Sequence, residues 1–480
     1  MKLFYYTCKV YMKYSVLFPT LVHFLYYKVM ISNFFIYNKY LFKELIMSKL
    51  KLFLILASAL LISCANPNDP GDDGTGGGNG GGGTGGGTGG GGGTGNPSWF
   101  LTAEKQKTPF STTQTLFDTK VGDVYRIPGI VLSKKNTLIA VVDSRKTSES
   151  DVGFSGSKNI DIVLRRSTDG GANWGEVITV PPKATSQLDA HGDPLIFSCQ
   201  NGDLVLLCAA GGAWNQGVGG DSKVMMSKST DDGLSWTQWK EVQGPIFRDN
   251  KLSSKGYNKG FAASGRGLTL KDGTLMGAML VGDKANSKKA AAVIVSSDNG
   301  QTWSVKGLAE RQAPNANQQD EPKVVAELDD GTILMSVRPN SAGARVWFTS
   351  SDKGGTWTEK TISPALQDGR ANAEGIRYTS IKSGHKKSRL LHINCNSSGR
   401  NTFTVVMSDN EGTSWEAAKK IIQPGNACYS SIEVLPDGTI VTFAEEPNQG
   451  QTGGGNYDMV FRRFNLAWLT DGAQVYDENY

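Results

Sequence analysis

Arginines, carboxylates and one tyrosine stand at similar distances from short turns between residues 126 and 445 of this 480-residue chain. Guanidinium groups hold anions through paired hydrogen bonds and keep their charge at any relevant pH. Carboxyl groups and a tyrosine hydroxyl transfer protons or act as nucleophiles. If the fold brings these residues to one place, they could bind an anion and carry out nucleophilic and acid–base catalysis on it. They are Arg126, Arg145, Glu321, Arg338, Glu374, Tyr429 and Glu445.

The turns beside these residues have the sequences of β-hairpins. Asn-Gly or Asp-Gly between β-rich runs is a strong hairpin signal. Six such signals, one of them looser, run through residues 99–480. They lie at 133–137, 200–203, 271–274, 329–332, 382–385 and 436–439.

The distance from each turn predicts where the side chains lie. Arg126, Glu321, Glu374 and Tyr429 each precede a turn by about the same number of residues, so they begin first strands at one end. The second strand of a hairpin runs back antiparallel. Residues that follow a turn by a similar distance therefore return to that end. These residues are Arg145, Arg338 and Glu445.

A second repeat follows the first five hairpins. The octet Ser-x-Asp-x-Gly-x-x-Trp at 296–303 recurs at 167–174, 229–236 and 350–357, and at 408–415 with Asn410 in place of Asp. The Asp can accept hydrogen bonds from backbone amides, and the Gly can take a positive φ. The Trp is expected to pack back on its sheet. A repeat at this period indicates stacked or radially arranged units.

The two repeats together predict a propeller. A hairpin, a strand, the octet turn and another strand make one four-stranded blade, and six hairpins give six blades. The sixth hairpin leads to a predicted final strand at 459–464, and a strand near 115–117 is expected to close the ring. The expected fold class is all-β, a six-bladed β-propeller of four-stranded antiparallel blades over 99–480.

The octets and one further motif resemble those of a known family. Residues 125–128 read Tyr-Arg-Ile-Pro and contain the Arg-Ile-Pro motif of sialidases, whose Asp-boxes (BNR repeats) the octets resemble. The chain from about residue 110 to its end looks like a bacterial exo-α-sialidase, or neuraminidase. The resemblance implies that Arg126, Arg338 and Arg400 grip the carboxylate of sialic acid. Arg400 follows a loop that the hairpins do not register, so its role depends on the resemblance alone.

The resemblance also implies the reacting groups. Asp151 matches the acid/base, Tyr429 the nucleophile and Glu321 the glutamate beside that tyrosine. A neutral tyrosine avoids the repulsion that a carboxylate would meet at an anionic centre, and sialidases are an exception to the two-carboxylate rule of glycosidases. Because tyrosine has a pKa of about 10, it needs a base, which Glu321 would supply. The expected outcome is hydrolysis with retention.

Three further residues have supporting or open roles. Glu445 matches the glutamate that orients the first arginine, but its neighbour Glu446 leaves that assignment open by one residue. Arg145 matches an arginine beside the acid loop. Glu374 converges by spacing without a family role, and it is a candidate for lining the aglycone side.

Other functions share parts of this pattern. A sialic-acid-binding propeller without turnover is expected to lack Tyr429, Glu321 or Asp151, and all three are present. A trans-sialidase, intermolecular or intramolecular, would be decided by aromatic residues over the pocket, where Trp214 is a candidate. A receptor-type propeller would have the Asp-boxes without the Arg-Ile-Pro motif.

The amino-terminal part predicts export and anchoring. Residues 1–46 are interpreted as a leader from a misassigned upstream start. Residues 47–64 are a signal peptide, since the apolar stretch after its lysines is too short to span a membrane. Its end resembles a bacterial lipobox, which implies that Cys64 carries lipid. Residues 65–98 are a Gly-rich flexible linker. The expected location is the bacterial cell envelope, lipid-anchored at the outer membrane or cell surface.

Composition bears on partners and cofactors. The formal charge of +5 comes from lysines in residues 1–51, so no nucleic-acid partner is expected. Sialylated glycans are the expected substrate, and no obligate protein partner is inferred. No metal or cofactor is expected, because the cysteine spacing does not make a zinc site. The cysteines expected to be buried free thiols are Cys199, Cys208, Cys395 and Cys428.

Overall fold

The structure, a computed structural model, describes residues 96–120, 123–146, 148–242, 246–312, 314–448 and 457–476. The expectations for 1–46, for 47–64 with Cys64, and for nearly all of 65–98 lie outside the described residues. The described part consists mainly of strands β1 to β28.

Six sheets of four or five strands follow one another along the chain, and the strands that are consecutive in sequence within each blade pair antiparallel from the axis outwards. Strand β1 is Ser111–Phe117. The first blade contains β2 to β5, which are Val124–Leu132, Leu138–Arg145, Ile160–Ser167 and Ile178–Thr179. The second contains β6 to β9, which are Gly192–Ser198, Leu204–Gly211, Ser222–Ser229 and Lys240–Glu241.

The third blade has an interrupted inner strand. Its pieces are β10 (Lys259–Ala262), β11 (Gly265–Arg266) and β12 (Leu268–Thr269). β10 and β12 pair with the next strand of their own blade, whereas β11 pairs parallel with β6 of the second blade. The outer strands β13 to β15 are Leu275–Gly282, Lys289–Ser296 and Ser304–Glu310.

The last three blades complete the ring. The fourth contains β16, β17, β19 and β20, which are Gln319–Glu327, Ile333–Pro339, Val346–Ser350 and Thr358–Lys360. A small ribbon joins β18 (Gly343–Ala344) to β21 (Gln367–Asp368). The fifth contains β22 to β25, which are Glu374–Thr379, Arg389–Cys395, Asn401–Ser408 and Ala418–Asn426. The sixth contains β26 to β28, which are Ser430–Val434, Ile440–Pro447 and Tyr457–Phe464.

The six-bladed propeller expected from the repeats is confirmed. Strand β1 pairs with β28 and so becomes the outer strand of the sixth blade, which confirms the closing strand near 115–117. A sheet finished by strands from both ends of the described propeller closes the ring with backbone hydrogen bonds.

The hydrophobic core lies between neighbouring blades. Residues of the first and second blades, for example, form one cluster that includes Val141, Leu164, Leu206 and Trp236. Because most blades are covered on both faces, their middle strands are buried throughout, as β7 is. This explains why these strands read as continuous apolar runs rather than as alternating ones. The four cysteines after Cys64 are buried and free, as expected.

The Asp-box turns have the geometry that their sequence predicts. In the third copy the Asp298 carboxylate accepts hydrogen bonds from Ser296 Oγ (2.7 Å) and Thr302 N (2.9 Å). Gly300 has a φ of 84°, and its carbonyl oxygen accepts a hydrogen bond from Trp303 Nε1 (3.2 Å). The indole therefore closes the turn, and its ring packs between two blades, with its centroid 5.2 Å from that of Phe197 in the second blade.

Helices are short and lie outside the blades. The α-helices are α1 (Ala103–Lys107), α2 (Asn250–Ser253) and α3 (Leu466–Leu469), and the 3-10 turns are Gln187–Asp189, Ile246–Arg248 and Ile381–Ser383. Within the described ranges, no helix has the length and apolar character needed to cross a membrane.

Candidate active site

Most of the predicted site residues meet at the end of the propeller where β2, β16 and β22 begin. A cavity of about 320 Å³ opens there. Its walls include Asp151, Glu321, Arg338, Arg400 and Tyr429. The antiparallel register of the hairpins produces this convergence, because it brings the start of each first strand and the end of each second strand to one end of the axis.

Three inner strands bulge where they enter the cavity. Ile127 in β2 and Asp193 in β6 have positive φ values of 62° and 56°, and the strand register shifts beside each of them. The register of β16 shifts in the same way beside Glu321. All three residues stand directly before a proline and line the cavity. Since proline cannot donate to the ladder, it marks a bulge, and the bulge re-aims the preceding side chain.

Arg126 is held by a glutamate from the sixth blade. Its Nε and Nη2 lie 2.7 and 3.2 Å from the two carboxylate oxygens of Glu445. The same carboxylate accepts from the backbone N–H of Ile127 (2.8 Å) and of Tyr429 (3.2 Å). Glu445 therefore fixes the arginine and the two backbone segments beside it.

The neighbouring Glu446 points to the other face of its strand. There it forms an ion pair with Arg462 of β28. The two glutamates alternate across β27, so only Glu445 reaches Arg126.

Tyr429 lies among three guanidinium groups. The central carbons of Arg126, Arg338 and Arg400 are 5.5, 5.9 and 5.4 Å from the centroid of its ring. Its hydroxyl accepts a hydrogen bond from Arg338 Nη1 at 3.0 Å. Burial raises the pKa of this hydroxyl above its ordinary value, and the nearby Arg338 charge opposes that shift.

Glu321 contacts the tyrosine through Arg338. Arg338 Nη1 also lies 3.1 Å from Glu321 Oε1, while its Nη2 lies 3.1 Å from Asp320. The second oxygen of Glu321 accepts from the side-chain amide of Asn372. One guanidinium thus bridges the hydroxyl and the carboxylate that sequence analysis paired as nucleophile and base.

Arg400 is the least enclosed of the three arginines. It is exposed, and its Nε and Nη2 donate to the backbone oxygen of Arg370 at 3.3 and 3.2 Å. The loop that hairpin counting could not register therefore brings this residue to the same cavity.

Asp151 also lines the cavity, from the loop after β3. Its carboxylate is 2.7 Å from Arg145 Nη1, and its side chain is 54% exposed. Arg145 in turn is fully buried and pairs with Asp143 at 2.8 Å. Burial raises the pKa of the Asp151 carboxyl, but the cations around it, Arg145 foremost, outweigh this and hold the pKa below its ordinary value.

Sequence analysis missed a carboxyl group in this cavity. Asp193 lines it, and its backbone N–H donates to Asp143 at 3.0 Å. Burial raises the pKa of Asp193 well above its usual range, and the carboxylates of Asp143 and Asp151 raise it further. The signal that could have found Asp193 is the following proline, which repeats the pattern of Ile127 in the first blade.

The expectation that Glu374 lines the aglycone side is wrong. Its side chain is buried below the cavity and accepts hydrogen bonds from the backbone of Arg266 (2.6 Å) and Ile432 (3.0 Å), and from Ser431 Oγ. It ties three inner strands together. Spacing placed it correctly on an inner strand, but β22 begins at Glu374, so Asn372 occupies the level of Glu321 instead.

Trp214 does line the cavity, as the candidate aromatic residue. Its ring lies between Lys259 and Lys289, whose Nζ atoms are 4.6 and 5.2 Å from the ring centroid. Phe261 meets it edge to face. Phe261 and Lys289 line the cavity together with Trp214.

Comparison with known proteins agrees with this geometry. The model of the BNR repeat-like domain family matches residues 153–442. A sialidase of Micromonospora viridifaciens is 30% identical over 366 residues, which cover 72% of this chain and 52% of that protein. A sialidase of Bacteroides fragilis is 27% identical over 342 residues, which cover 66% of this chain and 59% of that protein.

A solved structure supports the fold. The Hadza microbial sialidase Hz136 superposes with a TM-score of 0.58 at 24% identity, covering 72% of this chain and 66% of that one. The present chain spans between half and two thirds of the length of the first curated relatives that it matches. Because the family model covers more than half of the chain, from the loop after β3 into the sixth blade, the protein belongs to the BNR repeat-like domain family, and the curated relatives that it resembles are bacterial sialidases.

Proposed function

We propose that this protein is a retaining exo-α-sialidase that removes terminal sialic acids from glycoproteins, glycolipids or oligosaccharides. One observation carries the proposal. The Tyr429 hydroxyl lies in a cavity with three guanidinium groups around its ring, a glutamate one guanidinium away, and the carboxyl group of Asp151 in the same lining. Family membership and the sialidase relatives support the substrate class.

The arginines bind the substrate. The carboxylate of sialic acid would enter between Arg126, Arg338 and Arg400, whose charges persist at any relevant pH. Arg126 and Arg338 are buried and already oriented by carboxylates. Little orientation entropy is therefore lost on binding, and the anomeric carbon is placed next to Tyr429.

Tyr429 attacks and Asp151 assists the leaving group. The Tyr429 oxygen bonds to the anomeric carbon while its proton passes to Glu321. The glycosidic bond breaks, and its oxygen takes the proton of Asp151. In the free enzyme the Tyr429 hydroxyl accepts a hydrogen bond from Arg338. When the substrate carboxylate binds Arg338, this guanidinium no longer donates to the hydroxyl, and the hydroxyl turns to Glu321.

The second half-reaction reverses these roles. Asp151, now ionised, accepts a proton from a water molecule that attacks the anomeric carbon from the side the aglycone left. The bond to the tyrosine oxygen breaks, and this oxygen recovers its proton from Glu321. Two displacements give net retention.

The direct test is hydrolysis of a fluorogenic α-sialoside, followed by NMR of the anomer that forms first. Release of the α-anomer supports the mechanism. First formation of the β-anomer would refute the tyrosine nucleophile, and an anhydro or transferred product would identify the alternative trans-sialidase chemistry. Binding of sialic acid without turnover would identify the non-catalytic alternative.

We also propose that the enzyme is lipid-anchored through Cys64 at the bacterial cell envelope. The sequence at 61–64 and the Gly-rich tether after it support this. In a bacterial host, Cys64→Ser is expected to move the protein from the membrane fraction to the soluble fraction. Unchanged fractionation would contradict the anchor.

A further inference from the structure

Two guanidinium groups of the cavity have no carboxylate partner among the described residues. Arg338 is held by Asp320 and Glu321. Arg400, by contrast, donates to a carbonyl oxygen, which belongs to Arg370. The side chain of Arg370 also lines the cavity, and it is exposed.

The backbone of Arg370 is fixed although its side chain is free. The preceding Asp368 is fully buried, pairs with Arg345 at 2.7 Å and accepts a hydrogen bond from Ala371 N at 2.9 Å. Arg370 itself has a φ of 63°, a left-handed conformation that is costly for a residue with a side chain. Its carbonyl oxygen takes two hydrogen bonds from Arg400.

Two apposed loops hold the pair of arginines. A Cβ atom on Gly369 would lie 1.9 Å from the carbonyl oxygen of Gly399, so the loop before Arg370 touches the loop before Arg400. No larger residue fits at Gly369 without moving these loops apart. The backbone of Arg370 is therefore held beside the guanidinium of Arg400, and the side chains of both arginines line the same cavity, as expected for binding groups.

We propose that Arg370 binds a second carboxylate, carried by the sugar to which the terminal sialic acid is linked. This inference rests on the proposed function. The terminal residue brings one carboxylate, which Arg126, Arg338 and Arg400 share, and Arg370 remains uncompensated. Substrates in which one sialic acid is linked to another carry a carboxylate on each sugar. The preferred substrate class is therefore α2,8-linked oligosialic acid.

The size of the effect follows from the exposure of Arg370. An ion pair at a solvent-exposed rim contributes little to binding. A guanidinium that binds a carboxylate through two hydrogen bonds contributes more. We therefore expect Arg370 to favour a disialylated over a monosialylated substrate by about three- to tenfold in kcat/KM. Salt is expected to reduce this preference, because it screens exposed charges.

The test compares two lactosides, one capped by a single α2,3-linked sialic acid and one by two α2,8-linked sialic acids. The full chain is assayed for the initial release of the terminal residue at about 50 and 500 mM salt. Arg370→Asn removes the charge with a residue that tolerates positive φ. In this variant the ratio of kcat/KM, disialyl over monosialyl, is expected to fall by about three- to tenfold and to lose its salt dependence. The same ratio for Arg370→Lys should lie between those of the unaltered enzyme and Arg370→Asn.

Lys134→Asn is the matched control, since it removes an exposed charge from the turn at the opposite end of the axis. Its ratio should equal that of the unaltered enzyme. An unchanged ratio in Arg370→Asn, or an equal loss on both substrates, would overturn the inference and leave the proposed function intact. If the unaltered chain cleaves neither lactoside nor an aryl sialoside, both the proposed function and this inference fail.

Discussion

At the scale of single residues, the candidate site is a set of charges that are mostly paired before any ligand enters. Glu445 holds Arg126, Asp320 and Glu321 hold Arg338, and the pair of Asp143 and Arg145 is buried behind Asp151. Buried ions need such partners, because an unpaired charge loses its hydration without compensation. Of the groups that could react, the Tyr429 hydroxyl accepts one hydrogen bond from Arg338, and the Asp151 carboxylate forms an ion pair with Arg145.

Tyr429→Phe is expected to separate catalysis from folding. The ring and its contacts with the guanidinium groups remain, so the free energy of unfolding should fall by only about 1 kcal/mol, from the lost hydrogen bond. Turnover should fall by about two to four orders of magnitude, since the attacking oxygen is gone. A fluorinated sialoside that traps covalent intermediates should label Tyr429 in the unaltered enzyme and leave the variant unlabelled.

The matched control for this variant is Tyr378→Phe. Tyr378 is buried, and its hydroxyl donates to the carbonyl oxygen of Gly438 at 3.0 Å, in the turn at the far end of the sixth blade. It should lose a similar amount of stability and keep its activity. Near-normal turnover in Tyr429→Phe, or a label on Glu321 or Asp151, would show that the proposed nucleophile is wrong.

Asp151→Ala is expected to act according to the leaving group. For a natural glycoside, whose leaving oxygen needs a proton, kcat/KM should fall by about two to four orders of magnitude. For an aryl sialoside with an acidic phenol the loss should be much smaller. Asp123→Ala is the control, because Asp123 is a half-exposed carboxylate paired with Lys146 near the same end. Equal losses on both substrates would contradict the role of Asp151 as an acid.

The pH dependence of the reaction should report the contact between Asp151 and Arg145. A carboxyl whose pKa is lowered by a cation is protonated only at acid pH, so kcat/KM for a natural glycoside should fall as pH rises through that pKa. Arg145→Gln removes the cation and should move this limb to higher pH, whatever it does to the maximum rate. A limb that stays in place, or moves to lower pH, would mean that another group is the acid.

At the scale of strands and turns, proline positions decide which side chains enter the cavity. The residue before the proline lines the cavity in β2, β6 and β16. Sequence analysis read the first of these motifs and missed the second, Asp193, because it counted from turns and did not ask where the ladder must break. The same counting misjudged Glu374, because β22 has six residues where β2 and β16 have nine, so equal distances from the turn do not reach the same level of the axis.

The Asp-box supplies a test of its own within the chain. Asp231 accepts from Ser229 Oγ (2.8 Å) and Ser235 N (2.9 Å), and in the fifth copy Asn410 Oδ1 makes the same two contacts at 2.9 Å each. Asp231→Asn should therefore leave the free energy of unfolding within about 0.5 kcal/mol, whereas Asp231→Ala should cost about 1–2 kcal/mol. Urea unfolding measures both changes.

Acid should distinguish the two natural forms of the turn. Hydrogen bonds from Ser235 hold the pKa of Asp231 at about 2. A carboxyl whose pKa is lower in the folded than in the unfolded protein contributes its full stabilisation at pH values above the unfolded pKa. This stabilisation is lost as the pH falls through the folded pKa. The stabilisation at Asp231 should therefore vanish between about pH 4 and pH 2, and Asp231→Asn should lack this loss. Equal acid sensitivity of both proteins would contradict the contribution of the carboxylate.

At the scale of the whole molecule, the repeats were sufficient for the fold, and the loops were not sufficient for the site. Six hairpins and five Asp-boxes predict six blades because each blade needs its neighbours to cover its faces. The loop that carries Asp151 and the one that carries Arg400 have no such periodicity. Family resemblance indicated both residues, while Arg370 was not foreseen because its position depends on contact between two loops that are distant in sequence.

Closure of the ring makes the sixth blade, and with it Glu445, depend on β1. This strand covers the edge of β28, and its last residue, Phe117, is 2% exposed and packs against Phe443 of β27. Phe117→Ala is expected to cost about 3–5 kcal/mol of unfolding free energy, as for other buried aromatic residues. Thr112→Ala, on the exposed part of β1, should cost less than about 0.5 kcal/mol.

If ring closure is what holds β27 in place, kcat/KM of the Phe117 variant should fall at temperatures where most of the protein is still folded by circular dichroism, and should recover on cooling. A variant that loses activity only together with its secondary structure would show instead that the propeller unfolds as one unit.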